Sequence, residues 1–139
     1  AIPQRLVTNY RNTIYRIDTP STAIELRIDQ FSQPLAQLLD ETQYASAAVI
    51  SAYNPYSQQQ DDQQNRKAHE AFRDFLDHHS YMFIEGMNID PAGQWPIEKS
   101  FCILGIKQTL AQALGRRFRQ NAIVWMNIEA IPRLILLHR

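Results

Sequence analysis

The sequence predicts an α/β fold of the α+β type, a mixed sheet of about six or seven strands covered by about four helices. Three observations carry that expectation. Segments with apolar residues three and four positions apart alternate with short apolar runs of strand length. The run Ala47–Tyr53 is apolar on both alternating faces, the pattern of a central strand covered on each side. Some consecutive strands are separated only by turn residues and others by a helical segment, so hairpins and crossovers should both occur. A chain of 139 residues fits one domain, 1–139, and no linker or internal repeat divides it.

The elements follow in order. Gln4 to Asn12 reads as a short helix, with Leu6, Val7 and Tyr10 at helical spacing. Thr13 to Ile17 and Ala23 to Ile28 read as two strands joined by the turn Asp18-Thr19-Pro20-Ser21. Pro34 suits the first turn of a helix whose apolar face is Leu35, Leu38 and Leu39, ending near Thr42. The central strand stops at Asn54-Pro55, because proline removes a ladder donor and restricts its predecessor. A glutamine-rich stretch leads into the longest helix, about Asp61 to His79, with Asp61 or Asp62 as N-cap and Ala68, Phe72, Phe75 and Leu76 as its buried stripe. Tyr81 to Glu85 reads as a strand, Gly86 to Ile97 as a loop and Phe101 to Leu104 as a strand. Leu110, Ala111, Leu114 and Phe118 mark the last helix; Ala122–Met126 and Leu134–Leu137 close the chain as a hairpin.

Composition excludes several function classes. Fourteen basic residues balance fourteen acidic ones, so no whole-molecule field draws nucleic acid, although a local basic patch remains possible. No apolar run approaches the roughly 20 residues of a spanning helix, so no membrane partner is expected. The start, Ala1-Ile2-Pro3-Gln4-Arg5, lacks the charged and apolar regions of an export signal, and without an initiator methionine it reads as processed or trimmed. With one cysteine, Cys102, the expected location is cytoplasmic. Gly86, Gly93, Gly105 and Gly115 are too dispersed for a phosphate-cradling loop, so no nucleotide cofactor is implied. His69, His78, His79 and His138 lack paired-ligand spacing, and Asp61-Asp62 lacks the glycine and closing glutamate of a calcium loop; no metal is expected. His78 and His79 suit a helix end, and Cys102, inside Phe101-Cys102-Ile103-Leu104, reads as a small core residue.

Some polar residues do not fit a purely structural account. At about 100° per residue, Asn65 lies about 35° from the centre of the long helix's buried face, whereas Arg66 lies about 135° away. A buried amide without partners costs about 1–3 kcal/mol, so Asn65 should be hydrogen-bonded. Ligands gather where strands end in open α/β sheets, and there Asn54, Ser57 and Asn65 can converge near a helix N-terminus. Alternatively Asn54 and Asn65 only satisfy loop backbone. Glu85 and Glu98 end and open successive strands and offer a carboxylate pair for acid–base work, with rim salt bridges to Arg66, Arg116 or Arg117 the plainer account. Trp95 either stacks on a ligand or closes an apolar cluster. Arg116, Arg117 and Arg119 complement a helix end or contact phosphate. Asn121, after Gln120, is the expected left-handed residue closing the last helix.

Four segments taken together carry a family resemblance: Tyr53-Asn54-Pro55 within Ser51–Ser57, Asn65-Arg66, Gly93-Gln94-Trp95-Pro96-Ile97-Glu98-Lys99-Ser100-Phe101, and Arg119-Gln120-Asn121-Ala122. In order and spacing the chain resembles, from roughly Tyr10 to Leu137, the bacterial family called domain of unknown function 3293. The family more often carries glycine where this chain has Arg119. The resemblance implies no activity, cofactor or partner; it points to the same polar positions.

Three functional readings follow. The first is a binding or regulatory module in which Asn54, Ser57, Asn65, Arg66, Trp95, Glu98, Gln120 and Asn121 form a polar pocket for a small molecule or peptide end. The second is a hydrolase or transferase with Glu85 or Glu98 as general base and Arg66 or Arg117 steadying an anion. The third is a protein-interaction domain anchored by exposed Tyr, Trp and Arg. Nucleic-acid binding ranks last.

Overall fold

The computed structural model describes residues 1–137; His138 lies outside them. The chain forms α1 (Gln4–Asn12), β1 (Ile14–Asp18), β2 (Ala23–Leu26), α2 (Gln33–Thr42), β3 (Ser46–Ser51), α3 (Asp62–His78), β4 (Met82–Ile89), β5 (Glu98–Leu104), α4 (Gln108–Arg117), β6 (Ala122–Asn127) and β7 (Arg133–Leu136), with a short 3-10 turn at Pro55–Ser57. The α+β class, with seven strands and four α-helices among the described residues, is as the periodicity predicts.

Local chemistry explains the helix ends. Ser32 caps α2 by accepting from the Leu35 amide, with Pro34 in the first turn. Asp61 caps α3 in a reciprocal box: its carboxylate accepts from the Gln64 amide, and the Gln64 side chain accepts from the Asp61 amide. Helix α4 closes on Arg119, whose φ is 58°, with the Gln120 amide reaching back to Gly115 O at 2.9 Å and the Arg119 amide to Arg116 O at 3.0 Å. The left-handed residue is therefore Arg119, not Asn121. Glycine would adopt that backbone without the Cβ penalty that arginine carries there.

The expected mixed sheet is corrected: all six pairings are antiparallel, in the order β2-β1-β4-β5-β3-β6-β7. The crossovers β3–α3–β4 and β5–α4–β6 do join strands of like direction. However, β5 lies between the first pair and β3 between the second. A helix is about 10 Å across and two strand spacings span about the same distance, so each crossover leaves a slot that one antiparallel strand fills. β3 to β6 thus have split βαβ connectivity, and the β1–β2 hairpin and β7 extend the sheet at its two edges.

Alternation along the central strands feeds two cores. Ala48, Ile50, Phe101 and Ile103 pack with Phe72 and Leu76 of α3 and Ala111 and Leu114 of α4. Ala47, Val49, Cys102 and Leu104 face the other way, with Leu35 and Leu39 of α2 and Ile17, Ile24 and Leu26 of the hairpin. Burial pushes the Cys102 thiol up to about 12, the inert core residue expected. The same second face continues beyond α2 toward the end of β3, and there α1, which has no buried residue of its own, crosses above it.

One segment read as loop is strand. β4 runs on through Gly86 to Ile89, because β1 pairs against it from Ile14↔Ile89 to Ile17↔Gly86. Gly86 permits that approach: a Cβ there would lie 2.0 Å from Arg16 O. Likewise β5 begins at Glu98 rather than Phe101.

Candidate functional site

The site begins where β3 stops. Ser51 accepts from the Tyr53 amide at 3.0 Å and donates to Lys99 O at 2.7 Å, which ties the exit to β5. The chain then turns with three non-glycine residues at positive φ: Asn54 (45°), Tyr56 (55°) and Ser57 (58°). Each costs of order 1–3 kcal/mol and persists only where its surroundings over-determine it. Here the determinants are visible. The Asn54 amide N–H donates to Asn65 Oδ1 at 2.9 Å, and Asn65 Nδ2 donates to Asn54 Oδ1 at 3.0 Å. Gln60 adds its backbone N–H to Asn54 Oδ1 and its side-chain amide to Asn65 Oδ1. The Tyr56 amide donates to Arg119 O at 2.7 Å.

Asn54 and Asn65 are both buried, with 3% and 4% of their surface exposed. The helical angle places Asn65 correctly on the inner face, and its amide braces Asn54 and also accepts from Gln60. That brace aims Asn54 Nδ2 at Glu98 Oε2, 2.8 Å away. Trp95 Nε1 donates to the same oxygen at 3.2 Å. Trp95 is held there by Asp90, whose carboxylate accepts from the amides of Ala92, Gln94 and Trp95 at 3.0 Å each. Burial pushes the Glu98 carboxyl above its ordinary range, and the two hydrogen bonds oppose that rise without cancelling it.

A second polar group faces this one. Asn121, 5% exposed, donates through Nδ2 to the Tyr10 phenol at 3.0 Å and to Ser57 Oγ at 3.5 Å, and Tyr10 and Ser57 are themselves hydrogen-bonded. Tyr15 donates to Tyr10 O at 2.7 Å. These contacts pin α1 across the end of the sheet. Beneath it lie two adjoining cavities of about 50 Å³ each, both lined by Tyr10, Tyr15, Ser57, Asn88 and Glu98. Trp95 and Asp90 wall the first; Asn54, Gln120 and Asn121 wall the second. A groove of about 710 Å³ outside them shares Leu6, Asn9, Ser57, Trp95 and Asn121 with the cavity walls.

Of the residues singled out by sequence, the fold therefore brings Asn54, Ser57, Trp95, Glu98, Gln120 and Asn121 to one recess. Asn65 stands behind its wall. Arg66 is exposed and lines no part of it. Glu85 is not a partner of Glu98: it pairs in register with Phe101, three residues along β5 from Glu98, so the two carboxylates leave opposite faces of the sheet. Glu85 instead accepts from Arg73 at 2.6 Å, which holds its carboxyl below the usual range, and lies 3.5 Å from the buried His69. Arg117 stacks over the Phe75 ring at 4.6 Å, away from the recess.

Tyr10, Tyr15 and Asn88 are site residues that sequence reasoning missed. Their types gave no signal: Tyr15 and Asn88 reach the recess as direct partners in the β1–β4 pairing, and Tyr10 reaches it from α1, tied down by Tyr15 and Asn121. The one available cue was Gly86, a glycine inside an apolar run, which marks close backbone approach.

Among the described residues no group of three or more His, Cys, Asp or Glu is placed to hold a metal ion, and no helix is long and apolar enough to cross a membrane. No curated protein and no solved structure matches the chain. A family model, described as a protein of unknown function (DUF3293), matches residues 50–123, more than half of the chain. The matched span carries Asn54, Ser57, Asn65, Trp95, Glu98, Gln120 and Asn121, and leaves out the tyrosines of α1 and β1. This chain belongs to the DUF3293 family.

Proposed function

We propose that the chain, acting as one domain in the cytoplasm, is a binding or regulatory module that takes a small molecule or peptide end in the recess beneath α1. The observation that carries this reading is convergence. Polar side chains from the β3 exit turn, the Asp90–Trp95 loop, β5 and the α4 exit all point at one concavity that opens onto a groove of ligand size. The strained backbone at Asn54, Tyr56 and Ser57 supports it, because such strain gathers at functional sites. A small polar head group fits the inner cavities and its substituent fits the groove. The test is a fragment screen read by the indole resonances of ¹⁵N-labelled protein. Hits should move the Trp95 indole and leave that of Trp125 in place. A broad library in which no compound moves the Trp95 indole would end this reading.

A second reading has one observation in its favour. Burial raises the Glu98 carboxyl above its ordinary range, and Glu98 lines the same recess as the Ser57 hydroxyl, an arrangement that suits general-base chemistry in a hydrolase or transferase. If turnover of any ester, amide or phosphoester is found, Glu98→Gln should abolish it, whereas Glu85→Gln, on the opposite face, should leave the rate within about twofold.

A further inference from the structure

Resting on the pocket reading, we infer that the recess recognises a cationic amine, a primary ammonium held at Glu98 with its substituent running out along the groove. The first argument is charge. The carboxylates in ion pairs among the described residues meet arginines: Asp18 meets Arg16, Asp29 meets Arg11 and Arg133, and Glu70 and Glu85 meet Arg73. Glu98 meets none among the described residues. Its two hydrogen bonds come from neutral groups, Asn54 and Trp95, and both land on Oε2. A second carboxylate, Asp90, lines the first cavity, and no lysine or arginine lines either one. An anionic ligand would meet uncompensated negative charge there; a cation supplies the missing partner, and a pair shielded from water is screened less than one at the surface.

The second argument is the hydrogen-bond inventory. Asn88 Oδ1 and Asn121 Oδ1 are buried acceptors with no hydrogen-bond partner among the described residues. Both residues line the second cavity, and Asn121 is 95% removed from solvent, being 5% exposed. Such oxygens have given up water without a protein donor in exchange, an unfavourable arrangement that a bound donor relieves. An ammonium carries three donors and no acceptor, the complement of a wall whose unmet groups are acceptors. The rings of Tyr10, Tyr15 and Trp95 around the same space favour a cation further. Size agrees: cavities of about 50 Å³ hold a head group and not a whole metabolite.

The test titrates ¹⁵N-labelled protein at neutral pH with propylammonium, propionate and 1-propanol, three probes of one size and different charge. The signals followed are the Trp95 indole and the side-chain amides of Asn54 and Asn121. Propylammonium should shift them saturably, propionate and propanol at equal concentration should not, and Glu98→Gln should weaken propylammonium by about tenfold or more. Propionate or propanol acting as well as the amine overturns the cation preference and leaves the pocket standing. Unchanged affinity in Glu98→Gln overturns the assignment to Glu98. No shift from any of the three overturns the inference, and the wider fragment screen then decides separately whether the recess binds anything.

Discussion

Replacing Asn65 by alanine tests the brace on which the site is built. Three hydrogen bonds are lost: those from the Asn54 amide, from the Gln60 side chain and to Asn54 Oδ1. They are not equivalent. Gln60 is partly exposed and finds water, so its loss counts little. The Asn54 amide is buried and left unpaired, costing about 1–3 kcal/mol, and the side-chain pair adds about 1 kcal/mol. Alanine's better helix propensity returns about half a kcal/mol. The net loss is about 1.5–3.5 kcal/mol, which for a chain of this length lowers Tm by about 5–14 °C. Urea unfolding followed by circular dichroism measures it as a lower midpoint at unchanged slope. Arg66→Ala, on the neighbouring exposed position, serves as control and should change stability by no more than about 0.5 kcal/mol. An Asn65→Ala loss below about 1 kcal/mol, indistinguishable from that control, would refute the reasoning.

Two further outcomes follow from the same geometry. Arg119→Gly should raise the unfolding free energy by about 0.5–1 kcal/mol, because the left-handed backbone that costs arginine about 1–2 kcal/mol costs glycine only its greater unfolded-state entropy; a lower urea midpoint would show that the strain has been misjudged. Glu98→Gln should change how stability depends on pH. The folded state raises the Glu98 pKa, so it favours the protonated form, and the wild type loses stability as pH climbs from the unfolded carboxylate range through the folded value. Glutamine does not ionise, so the variant should gain on the wild type from acid to neutral pH in paired denaturation curves. Parallel curves would contradict a raised pKa.

The elements themselves were legible because they rest on local chemistry. α1 spans the predicted Gln4–Asn12, the Asp61 cap and the stripe of α3 lie where spacing puts them, and Asn65 faces inward as its helical angle requires. Each of these depends on residues within one or two turns of chain. The same holds for the two-faced apolar pattern of β3, which announces a covered central strand.

Register decides the rest, and a single sequence does not carry it. Alternation within β4 and β5 says which residues share a face of each strand. Only the pairing Glu85↔Phe101 says that Glu85 and Glu98 lie on opposite sides, since a slip of one residue would have placed them together. The insertion of β5 and β3 into the two crossovers, which makes the sheet wholly antiparallel, has the same origin. So does the recess: Tyr15, Asn88 and Glu98 are brought together by strand partners distant in sequence, through hydrogen bonds that any extended backbone can make, and Tyr10 follows from the helix that precedes β1. Spacing and side-chain type determined which segments fold as helix or strand. The tertiary structure alone decided which of their faces meet, because backbone pairing is indifferent to side-chain identity until the whole sheet has closed on its two cores.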